Sequence, residues 1–483
     1  MDRIRAFACL ALTCFMAWVS VTSAQTDTLE VRVLGGQQDD RGQQLVELAN
    51  GDVLSISSTN STTDDEPRGW LHRFDSAAHV IWEATIEDAP LLQPVDAMEH
   101  GDGLLTVFGM RFGGVGNAYD WGWYTLDANG AFLTQTTWGT DAWDLPTRIM
   151  FHNDTMWSVG TSYISGNGDV WATGHIWMDG AWMLVHEGNV ASMPEEEVAV
   201  DAAFQGDTLL VLSSLIEESA ARWQGVNAAS GEVHWSHQSS WVDPTAAVAI
   251  DVNSTNAVAL MNVSTADGMR LAFAVVDSAG NLVLEQLPGS GVDIAGCDVQ
   301  WYSPTDFATV SVTNELGLGG EEILFSRWSA VSGAWQGGPS IGTPWDEVPS
   351  AMLHDEDGRL WVLGSTNGYS NGRDDVYLVQ IPNASISDYT NNVETNILDT
   401  TLSMEEPVFE AGFSVYPNPA TDSFTLEGVD SAGFWKIFNG TGQPVRSGRG
   451  SQGWVSGLPP GSYWLVVGNE RGGSMDAVPL WIR

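Results

Sequence analysis

Short apolar runs separated by tight polar turns recur along this chain at an interval of about fifty residues. One apolar run comes back seven times, at 53–57, 104–108, 156–159, 209–212, 258–261, 308–312 and 360–363. A second returns seven times as well, at 70–74, 123–126, 175–178, 223–227, 271–276, 323–328 and 376–381. A long polar loop joins the first run to the second. A tight turn follows the second, closed by Gly130, Gly180, Gly231, Gly280 and Gly333 at spacings of 50, 51, 49 and 53 residues. Runs of this length, bounded by Gly, Asn and Asp, read as strands. Multi-stranded units repeated at this period predict a β-propeller of seven blades; a β-solenoid or a string of small sandwiches is the rival reading.

The seventh repeat has no strand after residue 381, where a polar stretch begins. The segment 29–34, Leu-Glu-Val-Arg-Val-Leu, has the alternation of a blade's last strand and no earlier blade to join. It is expected to complete blade seven, which removes two open sheet edges at once. The fold class is therefore all-β, with a propeller over 25–381 and a further small β-sandwich at the C-terminus. An acidic linker over 382–410 is expected to be extended and mobile.

Both ends of the chain carry export signals. Arg3 and Arg5 precede an apolar stretch over 6–21, and Thr22-Ser-Ala24 before Gln25 offers a small-residue cleavage site, so 1–24 reads as a signal peptide. No other stretch is long and apolar enough to span a bilayer as a helix. At the other end stands Val415-Tyr416-Pro417-Asn418-Pro419-Ala420, whose prolines remove two backbone donors and force the chain out of a sheet. Then follow 424–428, 435–438 and the strand Leu458-Pro-Pro-Gly461-Ser-Tyr463-Trp-Leu465-Val-Val467. In this order the motifs resemble the type A C-terminal sorting domain of the type IX secretion system, over about 411–483. The resemblance implies a small seven-stranded sandwich and passage across an outer membrane to the cell surface or the medium. It also implies the export machinery as partner. The tail departs from the family pattern, with Arg483 where a lysine is usual.

Composition narrows the partners. The formal net charge is −44, from 18 Lys and Arg against 62 Asp and Glu. Such a surface repels nucleic acid and anionic membranes and suits a protein kept soluble in salt. Of three cysteines, Cys9 and Cys14 lie in the signal peptide, so the mature chain keeps Cys297 alone and no internal disulfide. Core burial must supply the stability.

Catalytic motifs are not found: there is no G-x-S-x-G elbow, no H-E-x-x-H pair and no phosphate-binding loop. His234 and His237, three apart on a strand, point to opposite faces and cannot share a metal. Asp357-Gly-Arg-Leu-Trp-Val-Leu-Gly-Ser-Thr366 is similar to a repeat of secreted bacterial propellers that share no single activity. Asn227-Ala-Ala-Ser-Gly-Glu-Val-His-Trp235 resembles the tryptophan-docking motif of quinone-dependent dehydrogenases, which implies a tryptophan packed between blades. The long loops, all on one face of a propeller, hold the candidate binding residues: Asp120, Asp169, Asp267 and Asp375, with Tyr119, Trp171 and Tyr369. The aromatics would stack on sugar rings, and the acids would bind calcium or cap turns. No other cofactor and no metal site is expected. The leading expectation is a binding module for a glycan, a protein or a cation. The alternatives are a polysaccharide-acting enzyme using loop carboxylates and a structural surface protein.

Overall fold

The computed structural model describes residues 30–483 apart from 62–66, 87–91, 102, 114–117, 191–194, 289–292, 316–319, 369–372, 382–392, 395–398, 402–413, 428–433, 439–443 and 469–475. The expected signal peptide with Ala24 and Gln25, Tyr369 and most of the acidic linker lie outside the described residues. The chain divides into two compact units, Met1–Ser403 and Met404–Arg483.

Among its described residues the first unit is built from seven antiparallel sheets of one plan. Blade 1 is Asp40–Glu47, Val53–Thr59, Arg68–Phe74 and Val80–Ile86. Blade 2 is Leu92–His100, Leu104–Phe112, Tyr119–Leu126 and Phe132–Trp138. Blade 3 is Asp144–His152, Thr155–Ser162, Asp169–Met178 and Ala181–Asn189. Blade 4 is Glu197–Gln205, Thr208–Leu215, Ala220–Val226 and Val233–Gln238. Blade 5 is Thr245–Val252, Asn256–Thr265, Gly268–Asp277 and Leu282–Gln286. Blade 6 is Ile294–Ser303, Asp306–Thr313 and Glu322–Ser329, with its outer edge split into Trp335–Gly337 and Ser340–Gly342. Blade 7 is Glu347–His354, Leu360–Thr366 and Asp375–Ile381, and its outer strand is Glu30–Leu34 from the other end of the unit. That strand runs antiparallel to its neighbour, with Glu30 opposite Gln380 and Leu34 opposite Val376.

The innermost strand of each blade touches the next in order, and that of blade 7 touches that of blade 1. This is a propeller ring. Each blade is covered on both faces by its neighbours, so its inner strands are buried without alternation, small Ser and Thr residues included. Val53–Thr59 and Thr155–Ser162 are buried almost end to end, whereas outer strands such as Phe132–Trp138 alternate. A separate apolar cluster fills each interface: Leu54, Leu71 and Tyr124 between blades 1 and 2, and Phe108, Trp121 and Trp123 between blades 2 and 3.

The repeating glycine has a packing cause. Gly280 has φ +81°, and a Cβ there would stand 2.2 Å from Cγ of Trp235 in the preceding blade. Gly130, φ +82°, lies on Trp82 at 3.0 Å in the same way. In these two turns the bare backbone presses onto the tryptophan of the blade before it, a contact that no side chain would permit, whereas Gly231 and Gly333 face the Asn189 carbonyl and the Gln286 side chain and Gly180 faces open space. Trp235 thus occupies the inter-blade place that its motif implied.

Two short pieces of the acidic stretch are strands. Val393–Glu394 runs parallel to Ser340–Gly342 and Asp399–Thr401 runs parallel to Glu30–Leu34. The expected free linker is, in these pieces, pinned to the outer edges of blades 6 and 7. Unpaired edge N–H and C=O groups attract any strand that passes within reach.

The second unit, taken by itself, is a sandwich. One sheet is Ser414–Tyr416, Ser423–Glu427 and Gln452–Trp454; the other is Pro444–Arg449, Phe434–Phe438, Gly461–Gly468 and Asp476–Ile482. Phe424, Leu426, Trp435, Ile437, Leu465 and Leu480 form its core.

Candidate ligand face and central carboxylates

In an antiparallel four-stranded blade the loop between strands two and three lies at the same end as the connection to the next blade. Both sets of loops therefore share one face, called here the loop face.

Several carboxylates on that side are consumed by the loops themselves. Asp40, Asp144 and Glu347 open innermost strands and are buried. Asp40 accepts from the Gly36 N–H at 2.7 Å and Ser61 Oγ at 2.9 Å. Asp144 accepts from the Thr140 N–H at 2.6 Å, and Glu347 from the Thr343 N–H at 2.8 Å and Thr366 Oγ1 at 2.9 Å. Each one ties the incoming connection to its own blade, the usual work of a short acid at a turn. In blade 4 Glu197 instead joins the first three strands of its own blade, through Ser213 and a buried ion pair with Arg222 at 2.6 Å.

The acids singled out from sequence lie deeper than a binding face requires. Asp120, Asp169 and Asp375 open third strands and are 2%, 8% and 3% exposed. Asp120 and Asp375 fill the space where a Cβ would stand on Gly139 and Gly35, 2.2 and 2.0 Å away. Asp169 accepts from Ser165 Oγ at 2.6 Å. These three support the wall of the loop face instead of meeting solvent. Asp267 does meet solvent, in the turn between strands two and three of blade 5. Trp171 is half-buried and stacks on Trp138 at 5.9 Å.

The structure does bring aromatics together around Tyr119. Its ring is 5.2 Å from Phe112 and 5.6 Å, edge-on, from Trp143. Trp143 is 58% exposed although it is among the largest apolar side chains. Its carbonyl accepts from the Tyr163 N–H at 2.9 Å, which binds the blade 2/3 connection to the long loop of blade 3. Ile164 beside Tyr163 and Ile216 in the next blade are exposed as well. Burial and the neighbouring Glu196 carboxylate, to which it hydrogen-bonds, push the Tyr163 phenol up. Sequence reasoning singled out Tyr119 and passed over its neighbour Trp143, because it looked only at the loops between second and third strands. The run Gly139-Thr-Asp-Ala-Trp143-Asp144, an exposed tryptophan directly before a strand-opening acid, was the available signal.

The centre of the ring carries a second set of charges. All seven innermost strands have a β-bulge at the same place, skipping Gln43, Val95, Thr147, Val200, Val248, Cys297 and Ser350 in turn. In alternate blades the next residue is Asp96, Asp201 or Asp298. Each accepts a backbone N–H from the following blade: Ile149 at 3.0 Å, Ile250 at 2.9 Å and Met352 at 2.8 Å. Asp251 accepts from the Trp301 N–H at 2.6 Å. Arg148 lies 3.4 Å from Asp96 and 3.6 Å from Asp201, and 34% of its side chain stays accessible. Burial raises all four aspartates, Asp251 to about 6 and Asp298 to about 7. Burial opposes the Arg148 charge, but the surrounding carboxylates outweigh it and hold the guanidinium protonated. Among the described residues no group of three or more His, Cys, Asp or Glu is arranged to hold a metal ion.

In the second unit Tyr416 is 50% exposed and Pro417, Asn418 and Pro419 lie on the surface beside it. Gly461 opens the strand that carries Tyr463, whose ring is buried and whose hydroxyl donates to the Pro459 carbonyl at 2.8 Å. Among the described residues no helix is long and apolar enough to cross a membrane.

Comparison with known proteins bears on the two units differently. No curated protein matches the chain. Among solved structures, Sqt1 from Chaetomium thermophilum is 12% identical at a TM-score of 0.45, covering 74% of this chain and 99% of its own. An α-L-arabinanase from Penicillium chrysogenum is 10% identical at 0.41, covering 72% and 94%. The extracellular domain of a putative hybrid two-component system from B. thetaiotaomicron is 10% identical at 0.41, and the chain spans 57% of its length. Likeness at this level says nothing about activity, and the propeller-like fold rests on the sheets themselves. Residues 414–477, by contrast, match the family described as the secretion system C-terminal sorting domain. The second unit is a type IX sorting domain, and the chain is a protein exported to the cell surface or beyond it.

Proposed function

We propose that the exported propeller is a binding module whose loop face holds a neutral glycan on the platform of Phe112, Tyr119 and Trp143. The observation that carries this reading is Trp143, held edge-on against Tyr119 with 58% of its surface in solvent. A flat apolar ring kept exposed on a fixed backbone is what the C–H face of a sugar stacks on. Asp141, exposed beside Trp143, supplies an acceptor for hydroxyl groups. The net charge of −44 disfavours polyanionic glycans and leaves neutral ones. A polysaccharide-acting enzyme would need two carboxyls turned toward the substrate. The buried carboxylates of this face are instead engaged by N–H and hydroxyl donors of their own loops.

The test is binding of the full-length protein to an array of neutral oligosaccharides, with Trp143→Ala alongside. The reading expects a loss of about 2 kcal/mol, roughly 30-fold in affinity, as for other central aromatic contacts. Equal binding by both proteins would refute it.

A further inference from the structure

The sorting unit leaves two aromatics of its smaller sheet largely in solvent, one of which, Trp454, also meets the core Trp435 edge-on at 6.4 Å. Its three-stranded sheet sets Tyr416 opposite Thr425 opposite Gln452, with Trp454 opposite Ser423. Val415, Phe424 and Leu426 alternate with these residues and turn into the core. Gly453 belongs to the inner side too, since a Cβ there would stand 2.2 Å from the Phe424 ring. The opposite side of the sheet therefore carries Tyr416, Thr425 and Trp454, with the two aromatics 50% and 61% exposed. Arg446 reaches the same edge, donating from Nη1 to the Trp454 and Ser456 carbonyls at 3.0 Å each. Pro417 and Pro419 flank the sheet and cannot donate to an added strand, so contact there must come through side chains.

Charge separates this unit from the rest. From 414 to 483 the chain has five Lys or Arg and five Asp or Glu, so the remainder carries the whole −44. A basic receptor would attract the propeller without discrimination. A receptor with an acidic rim repels the propeller and accepts only the neutral unit, which is specificity by repulsion of the wrong surface. Tyr, Trp and Arg are the residue types that dominate binding energy at protein interfaces.

We infer that the face formed by Tyr416, Thr425 and Trp454 beside Arg446 is where the export machinery grips this chain. The receptor surface that fits it is an apolar groove with an acidic rim. The inference rests on the sorting role of the unit and names the surface that performs it.

The experiment uses the full chain in a host with type IX machinery. Tyr416→Ser, Trp454→Ser and Thr425→Glu are compared with wild type by fractionation, and each purified protein is melted. The inference expects at least a tenfold fall in the surface or medium fraction, periplasmic accumulation and unchanged melting of the propeller. Thr425→Glu decides the matter if a serine variant unfolds the sorting unit, because it sets a carboxylate on the outward side, which an acidic rim repels, and leaves the core intact. Wild-type export of Thr425→Glu would overturn the inference. So would normal export combined with an altered oligomeric state or altered propeller melting, since the face would then belong to a second copy or to the propeller. A chain lacking 414–483 serves as the control: if it too is exported, the sorting role itself fails and not the choice of face.

Discussion

At the residue scale the central aspartates reverse the usual pH dependence of a carboxylate. Burial pushes Asp298 up to about 7 and Asp251 to about 6, above the ordinary 3.8. Between pH 4 and 7, on the order of the unshifted and shifted values, the folded state then binds more protons than the unfolded chain, so these groups make stability fall as pH rises. Buried His72, lowered to about 3, and His100 and His175, lowered to about 4, act the other way. Their contribution is full above the unfolded value of about 6.5 and is lost as pH drops toward 4. The two effects oppose each other over the same range, so Asp298→Asn, which removes one of the groups working against the histidines, should make melting temperature rise more steeply between about pH 4 and about 6.5 than it does in the wild type. An equal slope in the variant would contradict this. The cluster was half legible. Val95-Asp96-Ala97, Val200-Asp201-Ala202 and Cys297-Asp298-Val299 recur in every second repeat. The bulge that turns each aspartate toward the next blade's N–H leaves no mark in composition.

At the scale of elements, strands and tight turns were readable because their causes are local. Apolar runs, Asx residues and turn glycines suffice, and Gly280 and Trp235 stood out by repetition. The contact between them was not readable, since it joins residues 45 apart across two blades. Gly280→Val should cost about 3 kcal/mol or more. It places a branched side chain at φ +81° where Trp235 leaves no room, and overpacking adds to backbone strain. Denaturant unfolding checks this, and a cost below about 1 kcal/mol would show that the turn moves freely off the tryptophan. Glu30–Leu34 gives the element-scale test of closure. Without it Asp375–Ile381 becomes an open edge, and a chain beginning at Gln37 should aggregate or lose its cooperative melt. Unchanged melting would mean that the ring holds without its seam. The loop acids misled for a physical reason. An acid after a long loop looks alike whether it meets solvent or anchors the loop, and Asp120 and Asp375 lie under glycines that only the folded backbone places above them.

At the scale of the whole molecule the protein joins an acidic propeller to a sorting domain that is neutral over 414–483, and destination was more legible than ligand. Sorting motifs are short, ordered and carried on one stretch of chain. The proposed ligand platform draws Phe112 and Tyr119 from blade 2 and Trp143 from the connection to blade 3, and no single stretch shows them together. The two units have separate cores, so the propeller should fold without the tail. The most direct test compares the full chain with one ending at Ser403 in a host that has the export machinery. Surface, medium and periplasmic fractions are assayed, and the melt of each protein is recorded. The account predicts a shortened protein that melts like the propeller of the full chain and stays in the periplasm. A shortened protein that reaches the surface or medium as well as the full chain does would contradict it.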